Sequence, residues 1–174
     1  MITNKFIRFL KNAWYRITYP FVWIRNYIFC LRYPFWTARN VWDGRKLGYR
    51  FTQYDQIPCG WRKAFGKQLT KDIAAALKKA KANGCEDPTI HWQDIKEKWG
   101  CLCLYASAPQ EVMDVLERYE DISGNYCISC GKQAEYMTKG YILPFCERCF
   151  DGYVKEREYV RMNKEECKIK DEVK

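Results

Sequence analysis

The chain has 174 residues, with 30 Lys and Arg against 21 Asp and Glu, 48% apolar residues and 17% aromatics. That composition can bury a core, and it excludes disordered, collagen-like and low-complexity classes. The charge of +9 sits at the front: residues 1–67 hold 13 Lys/Arg and only Asp43 and Asp55 as acids, whereas 68–174 hold 17 Lys/Arg and 19 acids. Attraction to phosphate or anionic lipid is therefore expected of this basic, aromatic third.

Within the front third, the longest uncharged run, Ile17 to Ile24, has eight residues, far short of the roughly 20 needed to span a bilayer. Lys5, Arg8, Lys11 and Arg16 interrupt any secretory h-region, and many Trp and Tyr with almost no Ser argue against a mitochondrial transit peptide. Ile2, Phe6, Phe9, Leu10, Ala13 and Ile17 form an apolar helical stripe that Pro20 is expected to end, and a second helical segment runs from Phe21 to Tyr33 before Pro34. Phe6, Phe9, Trp14, Trp23, Arg25 and Arg32 make this extension, residues 1–38, a candidate membrane or partner arm. Such helices lie in anionic membrane interfaces, their aromatics equally suit stacking by single-stranded bases, and apolar helical stripes also pack as ordinary core.

The middle, residues 39–122, reads as a compact α+β body. Thr70 is the expected N-cap of a helix with Asp72 in its first turn, in which Leu69, Ile73, Leu77 and Ala80 recur until Asn83 and Gly84. Thr89 to Trp99 and Cys101 to Tyr105 read as two strands joined at Gly100. Pro109 then takes an N1-like place in a helix with Val112, Val115, Leu116 and Tyr119 in its stripe. Cys101 and Cys103 share a strand face and read as buried thiols rather than as part of a second metal set with Cys59 or Cys85. Arg39, Arg45, Lys46, Arg50, Trp61, Arg62, Lys63 and Lys67 form the candidate contact set for nucleic acid or another partner.

Residues 123–174 carry the sharpest signal. Cys127 and Cys130 form one C-x-x-C pair and Cys146 and Cys149 another, with fifteen residues between the pairs. Two such turns direct four thiolates to one point about 2.3 Å away, which predicts one structural zinc with no open position for catalysis. Gly131 allows the tight turn of a knuckle, residues 134–143 read as a short hairpin through Lys139 and Gly140, and a helix is expected over Tyr153 to Glu166. This describes a treble clef, with a zinc ribbon as the alternative.

The only histidine, His91, lacks ligand spacing or a neighbouring catalytic glutamate, and Asp94, Glu97 and Glu111 are not set beside a nucleophile. The sequence therefore leans away from an enzyme, and no small-molecule substrate is evident.

The string GWRKAFGKQLTKDI from Gly60, the strand QDIKEKWGCLCLY from Gln93, and the CxxCG and CxxC pairs beyond them resemble a family of small proteins from tailed bacteriophages and prophages. In that family a segment like Q-x-KEK-[FWY]-G-x-L-x-[FW]-Y precedes a zinc-knuckle end. The resemblance covers about residues 39 to 152 and departs from the family where Cys103 replaces a basic residue. It implies a viral accessory protein acting in a host bacterial cytoplasm. With the basic third, it leads to an expected zinc-stabilised binding module for nucleic acid or a host protein, or alternatively to a peripheral membrane protein held by its N-terminal helices.

Overall fold

The computed structural model describes residues 18–153 and 159–162. The stripe from Ile2 to Ile17, with Phe6, Phe9 and Trp14, lies outside them, as does Cys167. The chain divides into two compact units, Met1–Tyr54 and Asp55–Lys174.

In the first unit, residues 18–32 are helical (α1), with Pro20 inside the helix. The inward side of α1 carries Asn26 and Cys30, four residues apart and both buried. The Asn26 amide donates to the Tyr49 carbonyl (3.0 Å), and its oxygen accepts from the Arg25 guanidinium (3.0 Å). Trp23 stacks on Tyr27 with ring centroids 5.3 Å apart, and Tyr49 meets both edge-on. Proline ends the helix as expected: Pro34 opens a 3-10 turn, Pro34–Trp36, that closes on a buried Trp36. Next comes a tight ribbon, with Arg39 bridged to Lys46 and Leu47 N–H donating to the Ala38 carbonyl.

The second unit begins with an almost continuous helical stretch: α2 (Cys59–Trp61), a π-helical turn (Arg62–Gly66) and α3 (Lys67–Ala82). Thr70 does not cap it. Its hydroxyl donates back to the Gly66 carbonyl (2.9 Å) in mid-helix. The helix starts earlier because Trp61 and Phe65 continue the buried series of Leu69, Ile73, Ala76 and Ala80. Asn83 is the C-cap and Gly84, at φ +83°, leaves the helix through the left-handed region.

Strands β1 (His91–Lys98) and β2 (Cys101–Ser107) form an antiparallel hairpin with a bulge between Trp92 and Asp94. Trp99 and Gly100 both have positive φ, 55° and 80°, as a two-residue primed turn requires. The Glu97 carboxylate accepts from the Gly100 N–H (2.8 Å) and fixes the turn. Helix α4 (Gln110–Ser123) comes after it, with Pro109 at its N-cap rather than N1.

The core lies between α3, α4 and one hairpin face, where Ile73, Leu69, Ile95, Leu102, Leu104, Val112 and Leu116 are buried. Leu102 and Leu104 take that inner face, so Cys101 and Cys103 point outward and are only half-buried. The expectation of buried thiols fails for this reason: a strand alternates, and leucine takes the apolar side.

One carboxylate joins the two helices of this body. Asp72 on α3 accepts from Arg118 (2.7 Å) and from the Tyr119 hydroxyl (2.8 Å) on α4. Burial, then the bond to Asp72, hold the Tyr119 phenol at about 12, above its ordinary 10.0. Its contribution to stability is complete below pH 10 and fades as pH rises towards 12, because the unfolded phenol ionises first. Tyr119→Phe is expected to cost about 1 kcal/mol in denaturant unfolding and to flatten that alkaline decline.

Candidate metal centre

The first cysteine pair sits in a knuckle formed by backbone bonds. Cys127 N–H donates to the Lys132 carbonyl (2.7 Å), and Gly131 N–H donates to the Cys127 carbonyl (2.9 Å) with Gly131 at φ +82°. The chain then forms β3 (Tyr136–Thr138) and β4 (Pro144–Phe145), an antiparallel pair whose turn contains Gly140 at φ +77°. The second pair lies at the start of α5 (Glu147–Tyr153), where Cys149 and Phe150 N–H both donate to the Cys146 carbonyl. The bond from Ile128 N–H to the Pro144 carbonyl (3.0 Å) ties the two halves together.

The structure differs from the helix expected over Tyr153 to Glu166. Helix α5 spans Glu147–Tyr153, and within the expected span Tyr159–Arg161 form β5, which pairs antiparallel with β3 in a sheet ordered β4-β3-β5. The aromatic spacing accounts for this: Tyr136 stacks on Phe150 (4.7 Å between centroids) and Tyr159 closes edge-on against Phe150 (4.6 Å). That contact favours a pleated strand over another turn of helix. Val154, Arg157 and Glu165 lie outside the described residues.

The four ligand sulfurs of Cys127, Cys130, Cys146 and Cys149 lie within 4.8 Å of one another, and Cys130 and Cys146 approach to 3.5 Å. A tetrahedron with bonds of about 2.3 Å has edges of about 3.8 Å, so this group fits a structural metal ion. Cys127 and Cys146 are buried, and Phe145, Phe150, Leu143 and Tyr136 close round them. Burial raises the Cys130 thiol, but the Lys132 N–H and the neighbouring thiols outweigh this and bring it to about 7. Burial, then bonding to the other thiols, pushes Cys149 up to about 12, and burial also raises Cys146. A bound cation replaces those protons and reverses the penalty. Among the described residues no other three potential metal ligands converge.

The knuckle is seated on the helix of the body. Gly60 N–H donates to the Ile128 carbonyl (2.9 Å), the Trp61 indole N–H donates to the Tyr126 carbonyl (2.9 Å), and the exposed Cys59 thiol donates to the Ser129 carbonyl (3.3 Å). The two backbones touch at glycines: a Cβ on Gly60 would lie 2.2 Å from the Cys127 carbonyl oxygen, and one on Gly131 would lie 2.4 Å from that of Gly60. The sequence shows these glycines but not that they face each other.

The candidate contact residues are divided between the units. Trp61 is fully buried and serves the core and the knuckle, so it cannot reach a partner. Arg62 is half-buried and paired with Asp55 (2.7 Å), while Lys63 and Lys67 are exposed. In the first unit Arg39, Arg45, Lys46 and Arg50 are exposed, with Arg39 donating to the Gly44 carbonyl and Arg45 3.6 Å from Asp43. Between them Trp42 is 95% exposed, its backbone held by the Asn40 side chain (2.8 Å). Arg25 and Arg32 are also exposed on α1, Arg32 lying over the Tyr33 ring.

The acids that could have served catalysis have structural partners. Asp94 accepts from Lys96, Glu97 accepts from Gly100 and Tyr141, and Glu111 accepts from Asn83. His91 is exposed beside Asp87 and Thr89. Among the described residues no helix is long and apolar enough to cross a membrane. The chain matches no family model, no curated protein and no solved structure.

Proposed function

We propose that the protein is a zinc-stabilised nucleic-acid-binding protein, in which the second unit is a metal-pinned scaffold and the first unit makes the contacts. Four thiolates in a closed tetrahedral set favour zinc. A knuckle, a hairpin and a helix bearing the second pair support a treble clef over a ribbon, which would carry a second knuckle in place of α5. The resemblance to tailed-phage proteins supports an accessory role in a host bacterial cytoplasm.

The observation that carries the binding reading is the charge division together with Trp42. Residues 1–54 hold ten Lys/Arg and the single acid Asp43, while 55–174 hold twenty of each. The whole net charge therefore lies in the first unit. Its exposed turn presents an indole among Arg39, Arg45 and Lys46, a combination in which a base stacks while cations follow the phosphates.

Electrophoretic mobility with single- and double-stranded oligonucleotides over a salt series tests this. Single strands are expected to bind more tightly, with affinity falling steeply as salt rises. Trp42→Ala is expected to lower single-strand affinity about tenfold, in keeping with about 1–3 kcal/mol per stacked base. Salt-independent binding, or a pull-down from bacterial lysate that nuclease leaves unchanged, would point to a host protein instead.

A further inference from the structure

The outward face of α1 has no role in that reading. Phe21, Ile24, Ile28 and Leu31 recur at three- and four-residue intervals, so they form one stripe along the helix. They are between 50% and 72% exposed, while Asn26 and Cys30 fill the opposite, buried side. The stripe is bordered by Arg25 and Arg32, seven residues apart, and by the stacked pair Trp23 and Tyr27. Soluble chains seldom leave so continuous an apolar row in water without an occupant.

We infer that this face of α1 seats in the interface of an anionic lipid bilayer, with the four apolar side chains below the headgroups and the two arginines among them. Three observations select this occupant. Ile24, Ile28 and Leu31 have no ring on which a base can stack, so nucleic acid leaves most of the stripe unsatisfied. A second copy of α1 would bring Arg25 and Arg32 towards their equivalents, and the first unit has only Asp43 to offset them. An anionic surface satisfies both features: the apolar row enters the acyl boundary, cations at the rim meet the phosphates, and Trp and Tyr lie at headgroup depth. The helix lies in the plane of the interface rather than crossing it, and its described residues, 18–32, are too short to span a bilayer. The inference stands independently of nucleic-acid binding.

The test is co-sedimentation of the full chain with phosphatidylcholine vesicles, with and without phosphatidylglycerol. Binding is expected only with phosphatidylglycerol, weakening as salt rises. Ile24→Glu with Ile28→Glu should lower it at least about tenfold, and Arg25→Gln and Arg32→Gln about fivefold each. In the unmodified chain, brominated lipid should quench tryptophan fluorescence, a readout that needs no variant to fold. Equal sedimentation with both vesicle types, no quenching, or unaltered binding by the glutamate pair would overturn the inference. So would a dimer that the glutamate pair dissolves in a chain that ignores vesicles, since the stripe would then belong to a second copy.

Discussion

Replacing Cys130 or Cys146 with Ser is expected to release the metal and unfold residues 123–153, leaving α3, α4 and the β1–β2 hairpin as a weakened body. The sulfurs are the centre of the buried cluster in this part of the chain, joined by Phe145 and Phe150 and flanked by two- and three-residue strands. Strands that short do not persist alone. Metal binding in such small modules supplies about 10–16 kcal/mol, which matches or exceeds the roughly 5–15 kcal/mol of a whole domain. In the unaltered chain stripped of metal, four thiols, at least two of them raised by burial, are crowded within 4.8 Å. Circular dichroism and dispersed amide resonances check the result, and a chelator should reproduce it in the unaltered chain. The body should retain the packing of Ile73, Leu102 and Leu116, because these buried side chains do not belong to the cluster round the sulfurs.

Gly131→Ala is expected to cost about 3 kcal/mol or more and Gly60→Ala a comparable amount, although neither residue is one of the four sulfur ligands. At Gly131 the left-handed backbone contributes about 1–2 kcal/mol, and a methyl 2.4 Å from the Gly60 carbonyl adds the strain of forcing two backbones apart. At Gly60 the obstacle is the Cys127 carbonyl at 2.2 Å, with Ile128 beside it. Neither neighbour is a flexible side-chain tip that can move aside. Denaturant unfolding of metal-loaded protein measures the cost, and Gly152→Ala, whose Cβ would meet nothing, serves as the control.

The cysteine pairs were legible because each pair is local: two residues of spacing fix a turn, whatever the rest of the chain does. The β1–β2 hairpin was legible for the same reason, since Gly100 marks a local turn between two strand-like runs. What escaped the sequence depends on contacts distant in the chain. Thr70 looks like a cap until Trp61 and Phe65 extend the buried row beyond it, with a π turn shifting the phase between them. Tyr159 to Arg161 read as helix because their spacing suits one, but the Phe150 and Tyr136 rings offer a sheet edge.

Trp61 and Trp42 make the same point in opposite directions. Both lie in basic, glycine-bearing stretches, yet one is sealed beneath the knuckle and the other stands in solvent. No residue-type pattern distinguishes them. Likewise α1 was recognisable as helical from Pro34 and its apolar content, but which side faced outward was settled only by Asn26 bonding to Tyr49.

Whether a zinc ion pins the second unit is decided by metal analysis of the natively purified chain, with protein concentration and amide dispersion measured on the same sample. One equivalent of zinc per chain is expected, with dispersion lost when the zinc is chelated. A well-dispersed chain that carries substoichiometric metal would contradict the metal-pinned scaffold.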